Sequence, residues 1–213
     1  MVANTLEPSG LYYPNRFGLI LFDALEEIMG RNGLNAILNM AGLSQFIDNP
    51  PPDNMEKGFD FAYISALNRA LEEMYGHRGG RGLQLRLGRV LFARGLANFG
   101  ALVGASDLAF KVLPLQAKLK AGLPAVAKVF DSLSDQTSYV RDPGGEQYHY
   151  VIDRCSMCWG REVERPGGFI AAGIIEEALR WLSGGRTFRV DQVSCMSMGD
   201  EDCTFYVYKE PIG

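Results

Sequence analysis

Between Asn15 and Gly30 the apolar residues recur at helical spacing: Phe17, Ile20, Leu21, Ala24, Leu25 and Ile28 share one face. Asn15 is placed to cap this helix and Gly30 to end it. Leu34, Ile37, Leu38 and Met40 form a shorter stripe that stops at Gly42. Asn49-Pro-Pro-Pro-Asp53 is a stiff connector, because consecutive prolines fix φ and remove amide donors. Asp60 can cap a third stripe, Phe61, Ile64, Leu67, Leu71 and Met74, which ends at Gly76. The turn Arg78 to Gly82 leads into a helix carrying Leu83, Leu87, Val90, Leu91 and Leu96. Residues 108–112 are apolar, and Pro114 to Leu133 is a longer apolar stretch interrupted by Gly122 and Pro124. Residues 1–14 show no period and read as an irregular arm.

The pattern changes after Gln136. Residues 137–140 and 147–152 flank Asp142-Pro-Gly-Gly-Glu146, a strong hairpin signal. One helix follows, about residues 168–182, ended by Ser183-Gly-Gly185. Residues 187–195 and 203–208 read as a final strand pair. The order predicts an α+β fold: a helical N-terminal half, then a small antiparallel sheet from two hairpins flanking one helix. Residues 1–59 form a helical extension and residues 60–213 the main domain.

All four cysteines lie in this last third. Cys155 and Cys158 form a CxxC, and Cys195 and Cys203 form a second pair with seven residues between them. Antiparallel strand ends can bring the pairs together, and four thiolates are what a closed Zn²⁺ site needs. An iron–sulfur cluster takes the same ligands. Glu176, Glu177 and His149 are substitute ligands should one Cys not bind. Two readings without metal stand beside these: four buried thiols packed as small apolar groups, or disulfides. The N-terminus lacks a basic region followed by an apolar one, so the expected compartment is a reducing cytoplasm, which weighs against disulfides.

The 213 residues carry a net charge of −4, with no apolar run long enough to span a bilayer. The stretch from residue 78 to 120 is nonetheless basic, with Arg78, Arg81, Arg86, Arg89, Arg94, Lys111, Lys118 and Lys120 against Asp107. A solvated helix face is one reading of it. The other is an anchor for an anionic group at the mouth of an apolar pocket, with Arg86 and Arg89 as its cations. Nucleic acid is not expected, because the patch lacks interleaved aromatics and the chain is acidic. The broken helix up to Phe130 can act as a mobile wall over a cavity, with Leu115, Leu119, Leu123 and Phe130 facing the ligand; a kinked core helix is the alternative. No GxGxxG after a strand, Walker A or GxSxG occurs, so the chain leans towards binding rather than catalysis.

The closing run Val193-Ser-Cys195-Met-Ser-Met-Gly199-Asp200-Glu-Asp-Cys203-Thr-Phe205 resembles the end of the 4-vinyl reductase domain family. Tyr75-Gly76, Gly88-Arg89, the aromatic strand before Cys155 and the helix Gly173 to Leu179 are similar to the same family, so the likeness covers about residues 60–210. The resemblance implies a fold shared with Bet-type subunits of the TRAPP tethering complex and, more distantly, with haem-based nitric-oxide sensor domains. It implies a buried pocket for a hydrophobic ligand, either an aromatic or a tetrapyrrole such as a chlorophyllide, in a carrier or sensor. Helices at the N-terminal position pair subunits in related folds, so a homodimer is expected. The alternatives it leaves open are a 4-vinyl reductase of bacteriochlorophyll synthesis, a ligand-free scaffold, and an iron–sulfur or haem redox sensor. In the family's sensory domains zinc is held by an upstream Cys, a motif Glu and two motif Cys. Cys195 and Cys203 match the motif cysteines, and Cys155 or Cys158 the upstream one. The Glu position holds Gln192, a poor zinc ligand, which the extra thiolate of the CxxC can replace.

Overall fold

The computed structural model describes residues 6–99 and 112–212. The expected apolar segment 108–111, with Asp107 and Lys111, lies outside them. In chain order the elements are β1 (Tyr12–Pro14), α1 (Asn15–Met40), β2 (Lys57–Asp60), α2 (Phe61–Phe99), α3 (Leu115–Leu133), β3 (Ser138–Arg141), β4 (Gln147–Ile152), α4 (Phe169–Ser183), β5 (Phe188–Gln192) and β6 (Cys203–Pro211). The fold is α+β, as expected. The last four strands form one antiparallel sheet in the order β3-β4-β6-β5.

The two long helices each contain a glycine in the left-handed region, Gly30 at φ 74° and Gly76 at φ 66°. Glycine takes this conformation without a Cβ penalty. The helical axis breaks at both, where the apolar stripes end. Asp60 caps α2, its Oδ1 accepting from Ala62 N at 2.8 Å. Asn15 does not cap α1. Pro14 holds that position, and the first free amides, of Asn15 and Arg16, donate to Glu56 O and Asn54 O, each at 2.9 Å. A neighbouring loop thus does the work of a capping side chain.

Two further expectations are corrected. The arm before residue 15 ends in a strand: Tyr12–Pro14 pairs with β2, Tyr13 opposite Phe59, and Asp60 accepts from Ser9 N and Oγ. A three-residue strand is too short to show a period. The stretch expected to be broken, Leu115–Leu133, is one helix. Pro124 lies on its exposed side. Gly122 is there for closeness, since a Cβ on it would stand 2.3 Å from Leu182 Cδ2.

One apolar core runs from Tyr13 of β1 to Val207 of β6. Tyr148, Tyr150 and Ile152 of β4 and Cys203, Phe205 and Val207 of β6 face into it. Helix α4 crosses α2 at a glycine pair. A Cβ on Gly88 would lie 2.1 Å from Ile170 O, and one on Gly173 2.2 Å from Leu85 O, so the two backbones touch there. Among the described residues no helix is long and apolar enough to cross a membrane.

Candidate functional site

Strand register brings the cysteines together. β4 and β6 pair with Ile152 opposite Cys203, so Cys203 sits beside the end of β4. From there the chain passes through Cys155 into a 3-10 turn, Ser156–Cys158. Cys195 follows β5, and the turn Met196–Met198 folds back towards β6. Asp200 Oδ2 holds that turn by accepting from Cys195 N at 2.7 Å, and Met196 N points at Cys203 Sγ at 3.4 Å. Cys158 Sγ lies 3.4 Å from Cys203 Sγ and 3.6 Å from Cys195 Sγ. The sulfurs of Cys155, Cys158 and Cys203 lie within 4.8 Å of one another. All four cysteines are buried free thiols.

The sulfur spacing is informative. Thiolates bound to a common Zn²⁺ at about 2.3 Å in a tetrahedron stand about 3.8 Å apart. The close separations here are within a few tenths of an ångström of that edge. The protons are shared unevenly. The thiols of Cys155, Cys195 and Cys203 pull the Cys158 thiol down. Cys155 is pushed up chiefly by its bond with Cys158, and Cys203 by those with Cys155, Cys158 and Cys195. A divalent cation at the centre of the cluster would favour deprotonation of its thiols.

The arc between Cys155 and Cys158 is tied to α2. Ser65 Oγ donates to Trp159 O at 2.6 Å. Arg161 pairs with Glu72, and its Nη1 reaches Met157 O at 3.4 Å. The other side of the arc faces an apolar cavity of about 40 Å³, whose floor includes Ser156 and Met157. A second cavity, of about 80 Å³, lies further along α2 and α3 and is lined by Phe92, Phe99, Val129 and Leu133. Tyr13, Phe17, Leu91, Phe130 and Ile174 line both chambers. Tyr13 is held firmly among these. Its hydroxyl donates to Gln136 Oε1 and lies 3.3 Å from Ser156 Oγ. Its ring stacks on Phe17 with centroids 4.4 Å apart and meets Phe61 at 4.7 Å. Burial pushes the Tyr13 and Tyr150 phenols well above the usual tyrosine range.

The expected site residues divide. The four cysteines meet in one cluster, and Phe130 lines both chambers. Leu119 and Leu123 are buried in the core on α3 and line neither chamber, and Leu115 is half-buried. Arg86 is exposed, and Arg89 is exposed and paired with Glu176 at 2.7 Å. Arg94 likewise reaches Glu27 at 2.7 Å, so acids from α1 and α4 answer part of the basic stretch. The substitute ligands are engaged elsewhere: His149 stacks on Tyr206, and Glu176 on Arg89. Gln192 accepts from Gly168 N at 2.9 Å and donates to Ser194 O at 3.0 Å, which holds the start of α4. Tyr13, Phe17, Leu91 and Ile174 are cavity residues that the sequence does not single out; Phe17 and Leu91 lie on apolar helical stripes, which mark an inward face and not a cavity.

Residues 148–209 match the 4-vinyl reductase domain family. The matched region thus runs from β4 to β6 and contains all four cysteines. Most of the chain shares its fold with H-NOX domains. An H-NOX protein solved in a study of heme distortion superposes with a TM-score of 0.61 at 12% identity, covering 94% of this chain and 97% of that one. The S. oneidensis H-NOX protein in its Fe(II)NO state gives 0.54 at 13%, covering 91% and 98%. An oxygen-binding H-NOX domain related to soluble guanylate cyclases gives 0.56 at 14%, covering 90% and 93%. No curated protein sequence matches the chain. The family match covers the sheet from β4 onwards and α4, whereas the H-NOX likeness also takes in α1, α2 and α3.

Proposed function

We propose that this protein binds a small apolar ring in the two-chambered cavity, and that Cys155, Cys158, Cys195 and Cys203 hold a zinc ion that stiffens the cavity floor. The observation that carries the reading is an interior space lined almost wholly by apolar and aromatic side chains, with Ser156 and Met157 of the CxxC forming part of it. An apolar cavity of roughly 150 Å³ takes one benzene, and sites for drug-sized ligands run from roughly 300 Å³ upwards. The chambers, at about 80 and 40 Å³, therefore favour a single ring over a tetrapyrrole. The shared arc favours a sensor over a passive carrier, because a ligand in the inner chamber touches the segment the metal would hold.

Zinc fits the donor set: four buried thiols, with Cys158 Sγ 3.4 Å from Cys203 Sγ and 3.6 Å from Cys195 Sγ and with Cys155 within 4.8 Å of Cys158 and Cys203, and with Met196 N and Ser197 Oγ (3.1 Å from Cys195 Sγ) available to the sulfurs. Bound there it would supply structure, cross-linking the ends of β4, β5 and β6. Haem, which H-NOX relatives carry, does not fit. The chain's two histidines lie away from the cavity, His77 exposed on α2 and His149 stacked on Tyr206. Beside Met157, a weak ligand when it has no histidine opposite it, the cavity tyrosines are the candidates for an axial ligand. Their burial favours the phenol over the phenolate, and Tyr13 is already committed to Gln136.

Titration of the purified protein with toluene by calorimetry, with elemental analysis and native mass spectrometry on the same sample, tests both halves. Saturable one-to-one binding and one zinc per chain are expected. Absence of saturable binding would end the ligand reading. A chain without metal after reduction and incubation with zinc would end the metal reading.

A further inference from the structure

The two chambers share a wall of side chains. Phe17 comes from α1 and Phe130 from α3, and their rings meet edge to face with centroids 6.3 Å apart and planes at 79°. Both residues line both chambers and both are only half-buried. Neither ring carries a polar atom, so neither is latched by a hydrogen bond. Tyr13 differs: it is 3% exposed, its hydroxyl is bonded to Gln136, and its ring lies between Phe17 and Phe61. Beside the aliphatic Leu91 and Ile174, the wall thus has one fixed post and two aromatic leaves from different helices.

We infer that Phe17 and Phe130 determine which ligands the cavity accepts, admitting a single-ring hydrocarbon to one chamber and excluding fused two-ring hydrocarbons. The inference deepens the proposed ligand binding and rests on it. Each chamber by itself is smaller than the space one benzene fills, so a single ring needs modest breathing of the outer walls. A fused pair of rings needs the outer and inner volumes joined, and these two rings are the largest unlatched side chains among the five residues that line both chambers. Removing one ring opens the wall at a point where the helices keep their other contacts. A polar replacement there would instead bring a hydrogen-bonding group into an apolar space, which costs affinity for either ligand.

The test compares toluene and naphthalene on the whole chain by calorimetry, with wild type, Phe130→Ala and Phe17→Leu. Wild type is expected to bind toluene at least tenfold more tightly than naphthalene. Phe130→Ala is expected to move that ratio at least tenfold towards naphthalene, and Phe17→Leu in the same direction by a smaller factor. Circular dichroism establishes that each variant is folded, and Phe17→Leu, which keeps an apolar side chain, carries the test if Phe130→Ala does not fold. Toluene binding with an unchanged ratio in a folded variant overturns the wall while leaving the proposed ligand binding intact. Failure of wild type and folded variants to bind either hydrocarbon overturns both.

Discussion

The cysteine end and the aromatic cavity share Ser156 and Met157, yet they are assembled in opposite ways. The cysteine end is built from strand ends and tight turns within the last third of the chain. Its backbone groups are satisfied locally, as where Asp200 accepts from Cys195 N and Ser194 Oγ from Thr204 N. The cavity is built from β1, α1, α2, α3, β4 and α4, and its walls are side chains meeting across long sequence separations. The first region is stiff because its hydrogen bonds are directional and its turns are tight. The second has room because six elements meeting at an angle cannot be filled without gaps by the side chains they carry.

Removing a cysteine should have the largest effect. Cys203→Ser is expected to lose zinc and lower the melting temperature by about 10 °C or more, because structural zinc binding is folding free energy and each kcal/mol is worth roughly 2–4 °C in a domain of this size. It should also weaken toluene binding, since the arc forms the inner floor. Unchanged toluene affinity after metal loss would show the two regions to be independent.

Next is the helix crossing behind the cavity. Gly173 adjoins Ile174, which lines both chambers, and Gly88 stands three residues before Leu91, which also does. Gly173→Ala places a methyl group against Leu85 O, so α4 must move off α2. A loss of about 3 kcal/mol in denaturant unfolding is expected, with zinc content retained in the folded fraction. Wild-type stability in that variant would mean that the crossing is loose.

Alkaline pH probes the fixed post. Burial raises the Tyr13 and Tyr150 phenols above the ordinary value of 10.0. A raised folded value means that the stabilising contribution is whole below pH 10 and is lost as pH rises beyond it, because only the unfolded chain then ionises. Stability should fall by about 1.4 kcal/mol per pH unit for each phenol just above that point. Tyr13→Phe should make the slope shallower, and an unaltered slope would mean that Tyr13 reaches solvent.

The smallest effect is expected at the surface. Arg89→Ala breaks an exposed pair with Glu176 and should change stability by less than about 1 kcal/mol, with toluene affinity unchanged. A marked loss of affinity would return Arg89 to the ligand's surroundings.

Much of the helical half was legible as stripes with glycine stops, and Gly30 and Gly76 do break α1 and α2 where those stripes end. Both hairpins were legible because turn chemistry and alternation are local. The caps were not equally so: Asp60 acts through its own side chain, whereas α1 begins on carbonyls supplied by Glu56 and Asn54, which no pattern around residue 15 encodes. Phe130 could be picked out within an apolar helix. Leu119 and Leu123 could not be separated from it, because a helix stripe names the residues facing inwards and not which of them border empty space.

What the sequence alone determined is the α+β order, the antiparallel hairpins and the grouping of all four cysteines at the ends of strands, because period, turn residues and ligand type act over a few residues at a time. Only the tertiary structure decided that Ile152 stands opposite Cys203, that Gln192 serves the start of α4, and that Tyr13, Phe17 and Phe130 meet around a divided cavity. Those outcomes depend on strand register and on the angles at which helices cross, and both are set by the packing of the whole core.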